Sequence, residues 1–346
     1  MKKILKQVAA IDVAKDELVL TLGRINEDLS PELFAHKTFE NSLRGFKELV
    51  KWSEKLADPA IAMGFVMEAT GVYHESLAYF LDDQGYQVSI VLPNKISNYS
   101  RTLETKTITD KTASEAIAHF AMGRKLEVWQ QPDPLYRRLR QLTRERGQLV
   151  EERTMLKSQL HAEMHEAYPH KKSIERTKIR IKLMDQQEKE IKADIQELIK
   201  TKQEIKDMMI LLCSITGIGF VTAATVLGET NGFDLIRNKR QLASYSGFDI
   251  REKQSGTSVK GKPKISKRGN KYLRKAMYFP ALTAIQHDER YKAIYARLIA
   301  KHGIKMKAAV AVQRKLLEMC FTVFKTQQKY RKDYLQTNNV VMQLKN

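Results

Sequence analysis

The sequence predicts an α/β fold at the front of the chain and a mainly helical fold behind it. Three observations support this: short β-forming runs alternate with helical patterns up to about residue 92, two long charged stretches with heptad spacing follow, and mixed helical patterns fill the last third. With 346 residues, the chain is long enough to bury two modest cores.

The front region is rich in strand patterns. Five runs have the composition or alternation of strands: VAAID at 8–12, ELVLTLG at 17–23, FAHKTF at 34–39, IAMGFVME at 61–68 and QVSIVL at 87–92. The first three follow one another as a meander, and the helical patterns LRGFKELVKWSEKL and HESLAYFLDDQG precede the fourth and the fifth. A meander followed by alternating helices and strands is typical of an α/β layer.

The middle region has two apolar series at heptad spacing. The first contains Leu135, Leu139, Leu142, Leu149, Leu156 and Leu160. The second, with polar interruptions, contains Ile181, Met184, Ile191, Ile195, Leu198 and Ile205. The segment YPHKK at 168–172 separates them, which predicts a coiled-coil hairpin. Core-facing stripes of a compact helical domain would give the same pattern, and the spacing leaves open whether the seam pairs within one chain or between two.

These patterns divide the chain into four parts. We predict an α/β domain over residues 1–130, a helical hairpin over 131–206, a mainly helical C-terminal domain over 207–330 and a tail over 331–346.

The charge of the chain predicts a polyanionic partner. Lys and Arg number 60 against 40 Asp and Glu, a net charge of +20, and nucleic acid is the partner that such a surface favours. No run approaches the roughly 18 apolar residues of a membrane-spanning helix, and the opening segment MKKILKQVAAIDVAK lacks the apolar core of a secretion signal. We therefore expect a cytoplasmic protein with no membrane partner.

Acidic residues stand at the ends of predicted elements in the front region. Asp12 ends the first strand run, Glu68 ends the fourth, and Asp110 begins the helical pattern TDKTASEAIAHFAM. Because the carboxyl ends of neighbouring strands converge in an α/β sheet, these acids can share a hard cation such as Mg²⁺, which suits phosphodiester chemistry. The alternative is that Asp12 caps a turn and Asp110 caps a helix.

The segment REKQSGTSVKGKPKISKRGNKYLRK at 251–275 is strongly basic. It has a single acid, Glu252, and ten basic residues: Arg251, Lys253, Lys260, Lys262, Lys264, Lys267, Arg268, Lys271, Arg274 and Lys275. Interleaved glycines predict a flexible loop that approaches phosphates, and we assign nucleic-acid binding to all ten except Lys275. A solvated charge run is the alternative. The chemistry alone leaves Ser255, Ser258 and Ser266 open as nucleophiles or phosphate ligands.

The segment ITGIG at 215–219 has two interpretations. Gly217 and Gly219 could free backbone N–H groups to hold a phosphate at the start of the following helix. A structural turn between packed helices is equally consistent with the sequence.

Seven segments, in this order, resemble one known family. They are AAIDVAKDELVL, VMEATGVYHESLAYFL, IVLPNKISNYSRTL, KTITDKTASEAIAHFA, SITGIGFVTAATVLGET, QLASYSGFDIREKQSG and ISKRGNKYLRKAMYFPAL. Together they resemble the insertion-sequence transposases of the DEDD type, over about residues 8 to 325 apart from the helical middle.

The resemblance implies a ribonuclease H-like (RuvC-like) front domain and a transposase domain at the back. It places Asp12, Glu68 and Asp110 at the first three acidic positions of a magnesium site, and it makes Ser255 the nucleophile that joins DNA as a phosphoserine. Arg251 and Lys253 would then stabilise the pentavalent phosphate by fixed charge. The implied partners are donor and target double-stranded DNA and a structured noncoding guide, the bridge or seeker RNA; we also expect a homo-oligomer, either a dimer or a tetramer.

The fourth acidic position departs from the family pattern. The family has Asp three residues after the third acid, and this sequence has Ala113 there. Glu115 lies about 140° around a helix from Asp110 and is a poor substitute. We expect a catalytically impaired recombinase; the alternatives are a non-catalytic protein that binds RNA or DNA, and a hydrolytic junction nuclease of the RuvC type.

Overall fold

A computed structural model describes residues 3–69, 71–103, 107, 109–234, 236–252, 254–255, 259–261 and 264–332, with the backbone alone at 254, 255, 259 and 260. The chain forms two compact units, Met1–Gln131 and Pro132–Asn346. Within the described residues, no helix combines the length and the apolar character needed to cross a membrane.

A five-stranded sheet forms the centre of the first unit. Its strands are β1 (Ile4–Val13), β2 (Glu17–Asn26), β3 (Pro31–Glu40), β4 (Met63–Glu68) and β5 (Gln87–Val91). Their order in the sheet is β3-β2-β1-β4-β5. The first three strands are antiparallel, whereas β4 runs parallel to β1 and β5 parallel to β4. This mixed sheet confirms the predicted α/β class and its ribonuclease H-like arrangement.

Helices cover both faces of this sheet: α1 (Leu43–Leu56), α2 (Glu75–Asp83), α3 (Pro93–Ser100) and α4 (Asp110–Met122). Alternate residues of β1 enter two cores, since successive side chains of a strand point to opposite faces. Ala9 and Ile11 pack with residues of α1 and α2, whereas Val8 and Ala10 pack with residues of α3 and α4. Burial on both faces fixes β1, and with it the position of Asp12.

A long helical hairpin begins the second unit. It consists of α5 (Pro134–Met164) and α6 (Lys171–Lys200), which pack against each other within the chain. Six residues of the predicted seams are buried in these two helices: Leu135, Leu139, Leu142, Leu156, Ile191 and Ile195. The prediction was wrong in extending the second helix to Ile205, because α6 ends at Lys200 and Ile205 is a core residue of the next helix.

The rest of the second unit confirms the predicted helical fold. Its helices are α7 (Gln203–Cys213), α8 (Phe220–Thr230), α9 (Lys239–Ser246), α10 (Lys271–Ala276), α11 (Tyr278–His287), α12 (Glu289–His302) and α13 (Lys305–Thr326). They enclose a core that includes Leu227, Phe248 and Leu316. Gly228 permits α8 to lie directly on α5. A Cβ at this position would lie 2.8 Å from the backbone nitrogen of Arg140 on α5, which is too close for a larger residue.

The basic segment differs from the predicted loop. It contains four two-residue strands, β6 (Ile250–Arg251), β7 (Gln254–Ser255), β8 (Val259–Lys260) and β9 (Lys264–Ile265). β6 pairs with β9 and β7 pairs with β8, both antiparallel, so the described residues of the segment form two short antiparallel ladders. We call residues 250–265 the basic ribbon. Backbone pairing across the segment explains the difference, since glycine and lysine content alone predicts no pairing.

Candidate functional site

The carboxyl edge of the front sheet carries the predicted acids. Asp12 is the next-to-last residue of β1, and Glu68 is the last residue of β4. Because Ile11 pairs with Met67 in the parallel β1–β4 ladder, Asp12 and Glu68 follow at the same level of neighbouring strands. Asp110 is the first residue of α4, the helix that packs on β1 and β2. The described structure therefore brings the three carboxylates to one region of the first unit.

The electrostatics of Asp12 reflect this grouping. Partial burial raises the pKa of Asp12 to about 6, with repulsion from Asp110 and from Glu68 contributing to the rise. A backbone hydrogen bond from Val13 opposes the shift. A carboxyl group held near other negative charges is stabilised in its ionised form by a bound cation.

The donor set fits a divalent metal by chemistry. Three carboxylates supply the hard oxygen ligands that Mg²⁺ prefers, and one or two carboxylates together with substrate phosphates are its usual protein ligands. Among the described residues, no group of three His, Cys, Asp or Glu side chains is already arranged to hold a metal ion. Ligation would thus require side-chain adjustment at this edge.

The alternatives of turn capping and helix capping are not observed for these acids. Asp12 lies inside a strand, and Thr109 is the N-cap of α4, where its hydroxyl accepts a hydrogen bond from the Thr112 N–H at 3.2 Å. Thr112 completes the capping box by accepting from the Thr109 N–H at 2.8 Å. Asp110 is consequently not needed as the cap.

Position 113 lies one turn after Asp110 on α4. Its methyl side chain is half-buried, and it has no donor or acceptor that could bind a cation. Glu115 lies near Lys111 on the same helix, with 3.9 Å between the charged atoms. That Glu115 is a poor substitute for the fourth acid stays a prediction from its position around the helix.

Sequence reasoning missed two neighbours of this edge. The side-chain amide of Asn41 donates to the Ala14 carbonyl at 2.8 Å and to the Tyr73 carbonyl at 3.3 Å, linking the segments that follow β1 and β4. The Nδ1 atom of His74 is buried without a hydrogen-bond partner in the described structure, and burial lowers the pKa of His74. Asn41 acts through backbone that is distant in the chain, so no local sequence pattern marks it.

The predicted nucleophile lies at the far end of the basic ribbon. Ser255 ends β7 and pairs with Val259, the first residue of β8. Lys253, Lys262 and Ser258, together with the side chains of Ser255 and Lys260, lie outside the described residues. Arg251 and Lys264 pair across the start of the ribbon, and both are exposed.

Hydrogen bonds hold the base of the ribbon. The Ser266 N–H donates to the Asp249 carbonyl at 2.8 Å, and the Ser266 hydroxyl donates to the Asp249 carboxylate. The Lys267 N–H donates to the Gly247 carbonyl at 3.1 Å. Ser266, one of the three candidate serines, is therefore engaged in a structural contact.

A buried ion pair lies beneath this base and was not predicted. Glu229, which is 2% exposed, accepts two hydrogen bonds from Arg144 at 2.7 and 2.8 Å and one from the Asn270 amide at 2.6 Å. Asn270 also caps α10 through its side-chain oxygen. The guanidinium of Arg144 lies 4.2 Å from the centre of the Tyr272 ring. This Glu229 cluster connects α5, α8 and the segment that follows the ribbon.

The remaining basic residues of the segment differ in their contacts. Lys267 and Arg268 are exposed, and the Lys271 ammonium lies 5.1 Å from the centre of the Tyr272 ring. Arg274 donates to the Ser246 carbonyl at 2.7 Å and to the Gly269 carbonyl at 3.1 Å. Part of the Arg274 guanidinium is thus committed to the fold, whereas Lys267 and Arg268 are free to meet phosphates.

The ITGIG turn has a clear packing role at one glycine. Gly217 has a φ of 89°, and a Cβ there would overlap the Pro280 carbonyl at the start of α11. Gly219 is the N-cap of α8, and a Cβ there would meet nothing within 4 Å. Packing explains Gly217, and the open surroundings of Gly219 leave the phosphate-binding interpretation of the second glycine as a prediction.

Two transposase family profiles match the chain. Residues 9–169 match a transposase profile named for the DEDD motif and IS110, and residues 209–296 match the profile of the transposase IS116/IS110/IS902 family. The first match contains Asp12, Glu68 and Asp110, and the second contains the whole basic ribbon. Together they span well over half of the sequence.

Curated relatives match the chain over different lengths. The chain is 28% identical over 301 residues to the pilin gene-inverting protein of Moraxella bovis, covering 85% of this chain and 90% of that protein. It is 27% identical over 144 residues to the transposase for insertion sequence element IS1111A of Coxiella burnetii, covering 40% of this chain and 38% of that protein. A solved structure of Thermus thermophilus RuvC aligns with a TM-score of 0.27 and 15% identity, over 36% of this chain and 99% of that one.

Proposed function

Because the chain belongs to the IS116/IS110/IS902 family of transposases, we propose that it cuts and rejoins DNA through a covalent bond between Ser255 and a DNA phosphate. The observation that carries the proposal is the grouping of Asp12, Glu68 and Asp110 at one edge of the front sheet, where the two other acids contribute to raising the pKa of Asp12. The segment that contains Ser255 lies within the second family match and would supply the nucleophile. We assign metal chemistry to residues 1–130, the hairpin to 131–206 and the serine to 207–330.

The three acids would hold Mg²⁺. When bound, the metal polarises the phosphodiester and neutralises charge that develops on its oxygens. The contribution of the protein is to hold the carboxylates close together, with Asp12 and Glu68 on neighbouring strands and Asp110 at the start of α4. Asp12 changes protonation near pH 6, so the site would gain affinity for the metal as the pH rises through that value.

The strand-transfer step exchanges one phosphoester bond for another. The Ser255 hydroxyl loses its proton and attacks phosphorus, one P–O bond to the DNA strand breaks, and a deoxyribose oxygen leaves and takes up a proton. Attack by another deoxyribose hydroxyl reverses the step and releases the serine, so no nucleotide cofactor is required. Arg251 at the start of the ribbon and Lys253 would stabilise the pentavalent phosphate by fixed positive charge.

Double-stranded DNA and a structured guide RNA are the proposed partners. The net charge of +20 favours both. The family resemblance favours RNA guidance, because related transposases are directed by a bridge or seeker RNA. We further propose that the protein acts as a homo-oligomer, a dimer or a tetramer.

The experiment compares four proteins: the natural chain, Ala113→Asp, Ser255→Ala and the double variant. Each is incubated with Mg²⁺, substrate DNA and RNA transcribed from the flanks of the gene, and then resolved under denaturing conditions. We expect a protein–DNA adduct from Ala113→Asp, a much weaker one from the natural chain, and none from proteins with Ser255→Ala. Binding without adduct or cleavage in all four would instead support a non-catalytic nucleic-acid-binding protein, which the methyl group at position 113 favours.

The same gels distinguish a hydrolytic nuclease. Nicked DNA without an adduct, from Ala113→Asp and from the double variant alike, would mean that water rather than Ser255 attacks phosphorus. An adduct that persists in the double variant would move the nucleophile to another serine, which peptide mapping identifies.

A further inference from the structure

A cation-lined pocket lies between the start of α9 and the end of α13, outside the basic ribbon. Its volume is about 650 Å³, and it is lined by Arg237, Asn238, Lys239, Arg240, Phe321 and Lys325. The four basic side chains are exposed, whereas Phe321 is buried. The pocket is therefore a shallow, open depression with basic side chains around it and an aromatic ring in its wall.

The four cations of this pocket are without a salt bridge in the part of the chain that the structure describes. Among the described residues, no Asp or Glu forms a salt bridge with any of its four cations. Asp234, just before the pocket in sequence, accepts a hydrogen bond from Asn231 at 3.2 Å instead. The Lys325 ammonium lies 5.6 Å from the ring centres of Phe321 and Phe324, contacts that hold the charge without neutralising it.

The position of two of these cations at the start of α9 adds to the electrostatic repulsion in the pocket. Lys239 and Arg240 occupy its first turn, and that turn contains no acidic residue. The N-terminal end of a helix carries partial positive charge and exposes N–H groups, so it favours anions over cations. Asn238 caps this end by accepting from the Gln241 N–H at 2.9 Å. Two cations placed beside it repel the helix end, and an anion bound between them relieves that repulsion.

We propose that this pocket binds a phosphate group of a nucleic-acid backbone. The inference rests on the proposed nucleic-acid function and adds a second anchoring point to it. The pocket and the ribbon lie at opposite ends of α9, whose eight residues span about 12 Å at 1.5 Å per residue. Phosphates a few nucleotides apart on one strand cover that distance, so one backbone can contact both ends of the helix.

A matched pair of triple variants tests the proposal in the full-length protein. The pocket variant carries Lys239→Gln, Arg240→Gln and Lys325→Gln. The control variant loses the same charge from exposed helical positions with no salt bridge in the described structure, through Lys182→Gln, Lys189→Gln and Arg297→Gln. Fluorescence anisotropy measures the affinity of each protein for a short DNA duplex and a short single-stranded RNA across a range of salt concentrations.

We expect the nucleic-acid affinity of the pocket variant to depend less steeply on salt concentration than that of the natural protein. The slope of log affinity against log salt is negative, and its magnitude should fall by about 0.9 with the duplex or about 0.7 with the single strand, the contribution of one phosphate contact. The control should keep the wild-type slope. The melting temperature of the pocket variant should not decrease, because two of the removed cations oppose the helix dipole.

The two nucleic acids identify the source of the phosphate. A weaker salt dependence with the duplex alone would assign the pocket to DNA, and a weaker salt dependence with the RNA alone would assign it to the guide. A weaker salt dependence with both would indicate a backbone site that DNA and RNA share. Each of these results supports the proposal. Equal slopes for the pocket and control variants with both nucleic acids would overturn it. If replacing Lys267 and Arg268 lowers the slope while the pocket variant does not, this inference fails alone. Absence of binding by the natural chain would instead overturn the proposed function.

Discussion

The acidic edge and the basic ribbon position their candidate residues in different ways. Asp12 lies between Ile11 and Val13, which are 0% and 4% exposed, in a strand paired on both sides. The ribbon is built from two-residue strands, and its first pair includes the exposed Ile250. Core packing fixes the first site, whereas polar contacts at the base fix the second. Changes at the acids should therefore alter chemistry more than folding, and changes under the ribbon should alter folding first.

The largest expected effect is at the acidic edge and is chemical. Ala113→Asp adds the missing carboxylate one turn after Asp110, and we expect the rate of DNA cleavage in Mg²⁺ to rise by about 10² to 10³, the usual contribution of one electrostatic group to a transition state. Ala113→Asn has a similar shape without the charge and should leave the rate near that of the natural chain. Equal rates for Asp and Asn at this position would show that position 113 is not part of the site.

A large effect on stability is expected beneath the ribbon. Arg144→Met removes the main partner of Glu229 and leaves a buried carboxylate, which should lower the free energy of unfolding by about 3 kcal/mol. Arg138→Met, on the same helix but exposed, should change it by less than about 0.5 kcal/mol. Denaturant unfolding measures both, and equal losses would mean that the Glu229 cluster does not stabilise the second unit.

The two regions should also differ in their contribution to nucleic-acid affinity. Replacing Lys267, Arg268 and Lys271 with Ala should reduce the slope of log affinity against log salt by about 2 to 3. Replacing Lys47, Lys51 and Lys55 on α1 removes the same charge from the first unit and should change the slope much less. Equal reductions of the slope in both variants would indicate that the net charge of the protein, rather than the location of the basic residues, governs binding.

The smallest expected effect is a pH-dependent change in stability at Asp12. The folded-state pKa of about 6 exceeds the ordinary value, so the natural protein without metal loses stability as the pH rises from about 4 to 6. Asp12→Asn does not titrate, and it should be more stable above pH 6 by about 1 kcal/mol after allowance for solvent screening. Thermal unfolding should show equal stability of the variant and the natural protein near pH 4. If the variant were more stable by the same amount from pH 4 to 6, the repulsion at the acidic edge would be contradicted. Adding Mg²⁺ should stabilise the natural protein more than the variant.

The sequence predicted the acidic edge better than the ribbon because strands carry a local signal. Alternating and β-branched residues located β1 and β4, and the rule that parallel strands end at one edge then brought Asp12 and Glu68 together. The predicted start of β1 was four residues late, since Ile4 belongs to the strand by pairing with Asn26 and not by local composition.

The ribbon and its support depend on contacts that no local pattern records. Lysine and glycine content predicted phosphate binding but not the pairing of Ile250 with Ile265. Arg144 and Glu229 are 85 residues apart in the chain, and each has an ordinary place on a helix until the fold joins them. A charged residue within an apolar segment, such as Glu229 near the end of SITGIGFVTAATVLGE, is the signal that could have indicated a buried partner.

The α5–α6 hairpin has a charged group inside its apolar seam. Glu188, a polar interruption of the predicted heptads, is buried and accepts from Arg146 at 2.7 Å, from Arg153 and from Lys192. Although burial opposes its ionisation, these partners lower the pKa of Glu188 to about 2. A leucine seam alone allows two helices to slide by one heptad with little penalty. Arg146 and Arg153 are one heptad apart, so a slip of one heptad would keep one of these arginines beside Glu188 and break the contact with the other. The buried carboxylate therefore favours the observed alignment, in which both arginines reach it.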